Sequence, residues 1–130
     1  MLVEDAMTPK EKLVMVSQME PVRRVLELMK QHGTKSVVVQ KAKEHGAYGL
    51  VTYKNILQSI VAEEGDIDLL NVYDIASSPA VSVSRKLDVR YAARMMVKNS
   101  IKRLLVIDDN EIYGILTMSD IIGILMDEME

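Results

Sequence analysis

Short apolar runs alternate with amphipathic stretches along the chain, and their spacing predicts its strands and helices. Runs rich in β-branched residues predict strands at residues 13–16, 37–39, 48–52, 81–83, 104–107 and 112–116. Apolar residues three and four apart predict two amphipathic helices, one through Val22, Val25, Leu26 and Met29, the other through Val89, Ala92, Ala93, Met96 and Val97. Two more helices are expected to begin near Tyr53 and Met118. The order strand, helix, strand, strand, helix thus occurs twice, which is typical of an α/β (α+β) fold.

One phrase is written twice, which marks an internal repeat. The stretch YGLVTYKNILQSI at 48–60 matches YGILTMSDIIGIL at 113–125, and three positions stand out: Gly49 with Gly114, Thr52 with Thr117, and Asn55 with Asp120. The stretch EEGDIDLLN, residues 63–71, is interpreted as the linker between the copies. We therefore divide the chain into two units, 1–66 and 67–130, and expect a pseudo-symmetric pair that packs through its sheets.

The composition favours a small compact protein of the cytoplasm. The 130 residues are 48% hydrophobic, and the absence of cysteine excludes disulfides and thiolate metal sites. The acidic start, MLVEDAMTPKEK, lacks the apolar core of a signal peptide, and the longest apolar run, 121–126, is too short to span a bilayer. The net charge of −3 is spread along the chain, and Trp and Phe are absent, which disfavours a nucleic-acid partner.

Sequence patterns typical of enzymes are missing. The chain has no Gly-x-x-x-x-Gly-Lys-Ser/Thr and no Gly-x-Ser-x-Gly pattern, and neither His32 nor His45 has a second residue at metal-ligand spacing. We therefore predict that the protein is not an enzyme, has no metal site and requires no cofactor. The ten Met residues are interpreted as gap-filling side chains of the core.

The pattern Gly114-x-x-Thr117-x-x-Asp120 is open to two interpretations. Thr117 before a helix, with Asp120 three residues later, resembles a capping box, and a Gly inside a strand marks the close approach of a backbone or a ligand. Alternatively, the free N–H groups of a helix N-terminus attract a phosphate, the hydroxyls of Thr117 and Ser119 add donors, and Asp120 accepts from a ribose diol. The motif by itself does not decide between a cap and a ligand site.

The doubled unit, with its closing Gly-x-x-Thr-x-x-Asp or Asn motif, resembles a tandem pair of cystathionine-β-synthase (CBS) domains, also called a Bateman module. The resemblance covers essentially the whole chain. It implies a stand-alone regulatory protein that binds an adenosine ligand (AMP, ADP, ATP or S-adenosylmethionine) between the two units, as an energy or metabolite sensor. It also implies a homodimer and a separate, unidentified effector protein.

Family members hold the ribose with the Asp of the final motif and place the Thr near the phosphate. Carried over, this resemblance implies a stronger nucleotide-binding cleft that contains Thr117, Ser119, Asp120, Lys102 and Arg103, faced by Val14, Met15, Thr34 and Lys35. A second cleft would contain Thr52 and Asn55, faced by Val81, Ile101 and Lys102. We expect that cleft to be weaker or empty, because an amide replaces the carboxylate and loses a charge-assisted hydrogen bond.

The last helix predicts a second surface to be buried. Apolar side chains go round the helix in DIIGILM, residues 120–126, and Gly123 would permit close approach of another helix. We expect this helix to pack against a second copy, with burial inside one chain as the alternative. Two other functions also stay open, namely a dimeric protein-interaction module with vestigial clefts and a nucleic-acid binder that uses basic residues assembled across a dimer.

Overall fold

The structure, a computed structural model, describes residues 1–129. Its strands are β1 (Thr8–Pro9), β2 (Met15–Val16), β3 (Ser36–Val39), β4 (Gly49–Thr52), β5 (Ser82–Val83), β6 (Arg103–Asp108) and β7 (Glu111–Thr117). Its α-helices are α1 (Val3–Ala6), α2 (Val22–His32), α3 (Tyr53–Ile56), α4 (Val72–Ile75), α5 (Val89–Lys98) and α6 (Met118–Asp127). A 3₁₀-helix (Lys10–Lys12) and a π-helix (Leu57–Ala62) complete the described elements. The mixed α/β fold predicted from the sequence is confirmed.

The chain folds into two compact units that differ in how the sequence supplies them. The split unit combines Met1–Leu13 with the chain from Val81 onward, and the continuous unit spans Val14–Ala80. The sequence division into 1–66 and 67–130 follows the repeat, whereas each compact unit also takes in the opening segment of the other repeat. These opening segments are residues 1–9 and 71–79.

The split unit has a four-stranded sheet in the order β1-β7-β6-β5. β6 and β7 form an antiparallel hairpin whose turn residues, Asp109 and Asn110, have φ of 50° and 59°. Two positive φ values match the twist of paired strands, and Asn and Asp tolerate them. β5 runs parallel to β6. The core of this unit contains Val3, Val83, Ala92, Met96, Leu104, Val106 and Leu116.

The continuous unit has a three-stranded sheet in the order β2-β3-β4. β2 runs parallel to β3, and β3 pairs antiparallel with β4. An isolated bridge joins Leu50 of β4 to Ser77 on the outer edge of this sheet. It corresponds to the pairing of β1 with the outer edge of β7 in the split unit. Its core contains Val16, Val22, Val25, Leu28, Met29, Val37, Val39, Val51, Val72 and Ile75.

Each opening segment docks onto its unit by the same contacts. The Val3 N–H donates to the Leu87 carbonyl at 2.8 Å, and the Val72 N–H donates to the Glu20 carbonyl at 2.8 Å. Both valines are fully buried. Helices α1 and α4 have four residues each and are too short to be stable alone. In each, one buried valine and one backbone hydrogen bond fix the helix to its unit.

The predicted linker, residues 63–71, lies within the continuous unit. The carbonyl of Leu70 accepts from the Val22 N–H at 2.9 Å, and the carbonyl of Ile67 accepts from the Arg23 N–H at 3.1 Å. Pro21, the N-cap residue of α2, provides no side-chain acceptor for these N–H groups. The stretch around 67–70 therefore caps the start of α2, because the first N–H groups of a helix need acceptors from outside it.

The two amphipathic helices bury faces that are rotated from the predicted ones. In α5, Ala92 and Met96 are buried, but Val97 is 75% exposed, so its assignment to the core face is wrong. In α2, Leu28 is buried although the pattern left it out, and Leu26 is only half-buried. In both helices the buried face is rotated about the helix axis in the same direction from the predicted face, by roughly half of the 100° between neighbouring residues.

Methionine has three environments in this protein. Met29 and Met96 are buried in the cores, as the gap-filling interpretation requires. Met7, Met15, Met95 and Met118 are half-buried, whereas Met1, Met19, Met126 and Met129 are more than half exposed. The interpretation of methionine as a core residue is therefore wrong for these four, which lie near chain ends, in a loop or on the outer face of α6.

Candidate functional site

The split unit gathers predicted site residues at one end of its sheet. β6 begins at Arg103 and β7 ends at Thr117, and these two residues face each other in the antiparallel pair. Thr117 is also the N-cap of α6, and the Met118 N–H donates to the Lys102 carbonyl at 3.0 Å. We call this end, which contains Lys102, Arg103, Thr117, Ser119 and Asp120, the Asp120 corner.

Thr117 and Asp120 form a capping box. The Asp120 N–H donates to Thr117 Oγ1 at 3.0 Å, and the Thr117 N–H donates to Asp120 Oδ2 at 3.0 Å. The capping interpretation of the motif is therefore confirmed. The box uses only one carboxylate oxygen, and Asp120 is half-buried, so its Oδ1 atom keeps acceptor capacity.

Thr8 reaches the same carboxylate, although the sequence pattern did not single it out. β1 lies antiparallel along the outer edge of β7, with Thr8 opposite Ile115. The Thr8 hydroxyl donates to Asp120 Oδ1 at 3.5 Å, which is long for a hydroxyl–carboxylate hydrogen bond. Across residues 1–129, Oδ1 has no other hydrogen-bond donor. The Oδ1 atom is thus approached by one hydroxyl and is not saturated.

The continuous unit has an equivalent corner around Asn55. Ser36 at the start of β3 faces Thr52 at the end of β4, and Thr52 is the N-cap of α3. Asn55 Oδ1 accepts from the Thr52 N–H at 2.8 Å and from the Thr52 hydroxyl at 3.0 Å, while its amide donates to Ser77 Oγ at 3.3 Å. The carbonyl oxygen of Asn55 is therefore occupied, and only an amide N–H remains for a ligand.

The other predicted residues lie at the same ends of the two sheets. The Thr34 hydroxyl donates to the Ser36 carbonyl at 3.0 Å, and the Val14 carbonyl accepts from the Val38 N–H at 2.9 Å. The continuous unit holds Val14, Met15, Thr34, Lys35, Thr52 and Asn55, and the split unit holds Val81 and Ile101 with the residues of the Asp120 corner.

The basic side chains of the Asp120 corner are uncommitted in the part of the chain that the structure describes. Lys102 is exposed and Arg103 is half-buried. Neither the Lys102 ammonium nor the Arg103 guanidinium makes a hydrogen bond or ion pair within residues 1–129.

Clear pKa shifts occur away from this corner. A hydrogen bond from the Arg23 guanidinium lowers the pKa of Asp68, and the Arg90 N–H, followed by the Arg90 guanidinium, lowers the pKa of Asp88.

Residues 1–129 show no other candidate centre. No group of three or more His, Cys, Asp or Glu side chains in this range is arranged to hold a metal ion. None of the helices described is both long and apolar enough to cross a membrane. His32 and His45 are exposed.

Comparison with known proteins identifies the family. The profile of the CBS domain matches residues 3–62 and 72–127, so the chain belongs to the CBS domain family and carries a tandem CBS pair, or Bateman module. It is 33% identical over 97 residues to uncharacterized protein MK0525 of Methanopyrus kandleri, which covers 74% of this chain and 49% of that protein. It is 28% identical over 120 residues to the CBS domain-containing protein YhcV of Bacillus subtilis, covering 92% of this chain and 81% of YhcV. The chain thus spans about half the length of MK0525.

Solved structures share the whole fold. The hexameric CBS-CP12 protein from bloom-forming cyanobacteria superposes with a TM-score of 0.87 at 27% identity, over 100% of this chain and 76% of that chain. CBSX2, solved in complex with AMP, superposes with a TM-score of 0.84 at 21% identity, over 99% of each chain. At that identity the likeness to CBSX2 is one of fold.

Proposed function

We propose that this CBS pair is a regulatory module that senses an adenosine ligand (AMP, ADP, ATP or S-adenosylmethionine) through the Asp120 corner. The observation that carries the proposal is that the two oxygen atoms of the Asp120 carboxylate have different hydrogen-bond partners. Its Oδ2 atom holds the N-cap of α6 at 3.0 Å, while Oδ1 keeps acceptor capacity. A carboxylate held in this way accepts hydrogen bonds from the 2′- and 3′-hydroxyls of a ribose, and such charge-assisted bonds are the strong ones.

A phosphate would be served by the rest of the corner. The ten-residue helix α6 begins here, Ser119 exposes a hydroxyl in its first turn, and Lys102 and Arg103 have no acidic partner within residues 1–129. The Met118 and Asp120 N–H groups are already bonded within the corner, so a phosphate would be attracted by the positive end of the α6 dipole, the Ser119 hydroxyl and the two cations. The sequence prediction that Val14, Met15, Thr34 and Lys35 also contact the ligand remains part of this proposal.

The Asn55 corner is proposed to be the weaker site. Its Asn55 oxygen already accepts two hydrogen bonds from Thr52, so it has little left to offer a diol. Lys54 stands where the Asp120 corner has Ser119. One strong site per chain is therefore the expected stoichiometry.

Self-association through the split unit is also part of the proposal. Ile122, Leu125 and Met126 on helix α6 are about half exposed or more, and so is Met129 just beyond its end. An apolar helix face of this kind is typical of an interface. A Cβ on Gly123 would meet nothing within 4 Å, so the helix presents an open notch there. We propose a homodimer that acts on a separate effector protein.

Calorimetric titration with AMP, ATP and S-adenosylmethionine tests the proposed sensor. Wild-type protein should bind one of them, and Asp120→Ala should weaken that binding by a factor on the order of 10 to 100, since hydrogen bonds to a charged group contribute about 1.5–3 kcal/mol. Asn55→Ala is the matched control in the other corner and should leave the affinity nearly unchanged. Melting curves of both variants show whether either substitution damages the fold.

Two outcomes would overturn the sensor. If none of the three compounds produces heat or a melting shift, the repeated motif serves only as a pair of helix caps, and the dimeric interaction module becomes the better hypothesis. If the protein instead binds nucleic acid with a steep dependence on salt, its basic residues serve a phosphate backbone. Equal losses in Asp120→Ala and Asn55→Ala would show that the site is not the Asp120 corner.

A further inference from the structure

A hydroxyl group from an opening segment stands beside the motif side chain in both units. In the split unit the Thr8 hydroxyl points to Asp120 Oδ1 at 3.5 Å, and in the continuous unit Ser77 Oγ accepts from the Asn55 amide at 3.3 Å. Thr8 pairs with Ile115 and Ser77 bridges to Leu50, so the two hydroxyls occupy corresponding places on the two sheets. In each case the hydroxyl comes from the sequence repeat that does not carry the motif.

The backbone, and not Asp120, holds Thr8 in place. Upstream, the N–H groups of Val3 and Glu4 donate to carbonyls of the split unit at 2.8 and 3.0 Å, and β1 itself pairs with β7. The Thr8 side chain is half-buried and β-branched, so it has few rotamers. The hydroxyl is therefore a fixed point near the carboxylate.

The Asp120 carboxylate, by contrast, keeps one soft torsion. Its Oδ2 atom is held by the Thr117 N–H at 3.0 Å, and rotation about the Cβ–Cγ bond decides where Oδ1 points. Torsions of this sp³–sp² type have broad energy wells, so a second contact is needed to define the carboxylate plane. Within residues 1–129, Thr8 is the one donor directed at Oδ1.

We infer that Thr8 is a positioning residue for the ligand site: its hydroxyl sets the plane of the Asp120 carboxylate so that Oδ1 receives the ribose hydroxyls. This inference rests on the proposed function and deepens it, because it makes recognition of the ribose depend on both sequence repeats. Because the separation of 3.5 Å is long for such a hydrogen bond, Oδ1 can still accept from the ligand. Ser77 would play the same part for an acidic residue at position 55.

The test compares ligands and variants together. AMP, 2′-deoxy-AMP and 3′-deoxy-AMP are titrated into wild type, Thr8→Val and Thr8→Ser. Thr8→Val keeps the shape and the backbone pairing but lacks the hydroxyl, and it should weaken AMP binding by about 2- to 10-fold, the effect of one hydrogen bond. The deoxy ligands should lose less, so that discrimination between AMP and its deoxy forms shrinks. Thr8→Ser restores the hydroxyl and should restore both affinity and discrimination.

A second measurement needs no ligand. The ¹³Cγ resonance of Asp120 reports hydrogen bonding to its carboxylate, and it should move in Thr8→Val and return in Thr8→Ser. The corresponding resonance of Asp88, at the start of α5, is the internal control and should stay in place.

The outcomes separate the inference from the proposed function. If wild type binds AMP and Thr8→Val weakens all three ligands equally, Thr8 has only a structural role and the inference fails while the sensor stands. If wild type binds none of the ligands, the sensor fails in its AMP form, and the Asp120 resonance decides the role of Thr8. An Asp120 resonance unchanged by Thr8→Val overturns the inference in either case.

Discussion

The carbonyl oxygen of Thr8 lies so close to Gly114 that a Cβ atom on Gly114 would be 2.3 Å from it. The sequence left open whether the glycine admits a backbone or a ligand, and the structure shows a backbone. The equivalent pair is looser, since a Cβ on Gly49 would be 3.2 Å from the Ser77 carbonyl. Both glycines thus make room for an opening segment, with different margins.

Alanine at these two glycines should therefore have unequal effects on stability. Gly114→Ala forces β1 away from β7 and should lower the free energy of unfolding by about 1–3 kcal/mol, the usual effect of overpacking. Gly49→Ala should have a smaller effect, because its neighbours need to shift by only a few tenths of an ångström. Urea denaturation of both variants measures the difference. Equal losses would contradict the close approach at Gly114.

Restoring an acidic residue at position 55 should create a second ligand site. Asn55→Asp keeps the acceptor for the Thr52 N–H and adds a charged oxygen beside Ser77, whose hydroxyl can turn to donate, as Thr8 does. Calorimetric stoichiometry should rise from one adenosine ligand per chain towards two. The control is Asn55→Ala, which should leave one. A stoichiometry that stays at one in Asn55→Asp would show that more than the missing charge weakens this corner.

Lys102 and Arg103 should contribute to phosphate binding and not to adenosine binding. Replacing Arg103 by Gln removes one cation and should weaken AMP binding by about 2- to 5-fold, the range for partly exposed charge pairs, while adenosine is unaffected. Lys102→Gln should act in the same direction. Titration at two salt concentrations checks the charge dependence, with Lys54→Gln as the control. If adenosine and AMP lose affinity alike, these residues shape the corner and do not bind phosphate.

Asp88 should contribute to stability in a pH-dependent way. It is the N-cap of α5, and hydrogen bonds from Arg90 lower its pKa below the usual value of about 3.9. Because the folded state favours the carboxylate, this contribution is present above that usual pKa and is lost as the pH falls through the folded pKa. Asp88→Asn keeps a capping oxygen but cannot titrate, so its melting temperature should fall less between pH 5 and pH 2 than that of wild type. Identical pH profiles for the two proteins would contradict the shift.

The exposed face of α6 should control self-association. Leu125→Glu places a charge on this face, where Leu125 is 55% exposed, and should convert a dimer to a monomer by light scattering after size exclusion. Met19→Glu, at an exposed loop position of the continuous unit, is the control. Gly123→Ala should raise monomer stability by about 0.5–1 kcal/mol, since glycine is unfavourable inside a helix, and should weaken dimerisation if the notch is used. An unchanged mass for Leu125→Glu would remove this face from the proposal.

Most elements of the fold could be predicted because their signals are local. The strand pattern is visible in alternating and β-branched residues, and the capping box in Thr117 and Asp120 is contained within four residues. The turn at Asp109 and Asn110 is likewise a short-range signal. The placement of these features along the chain needed no knowledge of the tertiary structure.

The opening segments were missed for a physical reason. Helices α1 and α4 have four residues each and β1 has two, which is too short for a hydrophobic period to appear. A signal was present in the repeat, since VEDAMT at 3–8 matches VYDIAS at 72–77 and places Thr8 with Ser77. The connection that follows has a different length in the two copies, so an alignment that begins at the strands does not reach this match.

The sequence by itself determined the repeated unit, the order of its elements and the two capped helix starts, because these depend on side chains a few residues apart. Only the tertiary structure decided which unit receives each opening segment, which side of α5 stays exposed, and that Thr8 meets Asp120. Thr8 and Asp120 are 112 positions apart in the chain. A contact between residues so far apart in the chain forms only because β1 pairs with β7. No pattern of neighbouring residues around Thr8 or Asp120 predicts it.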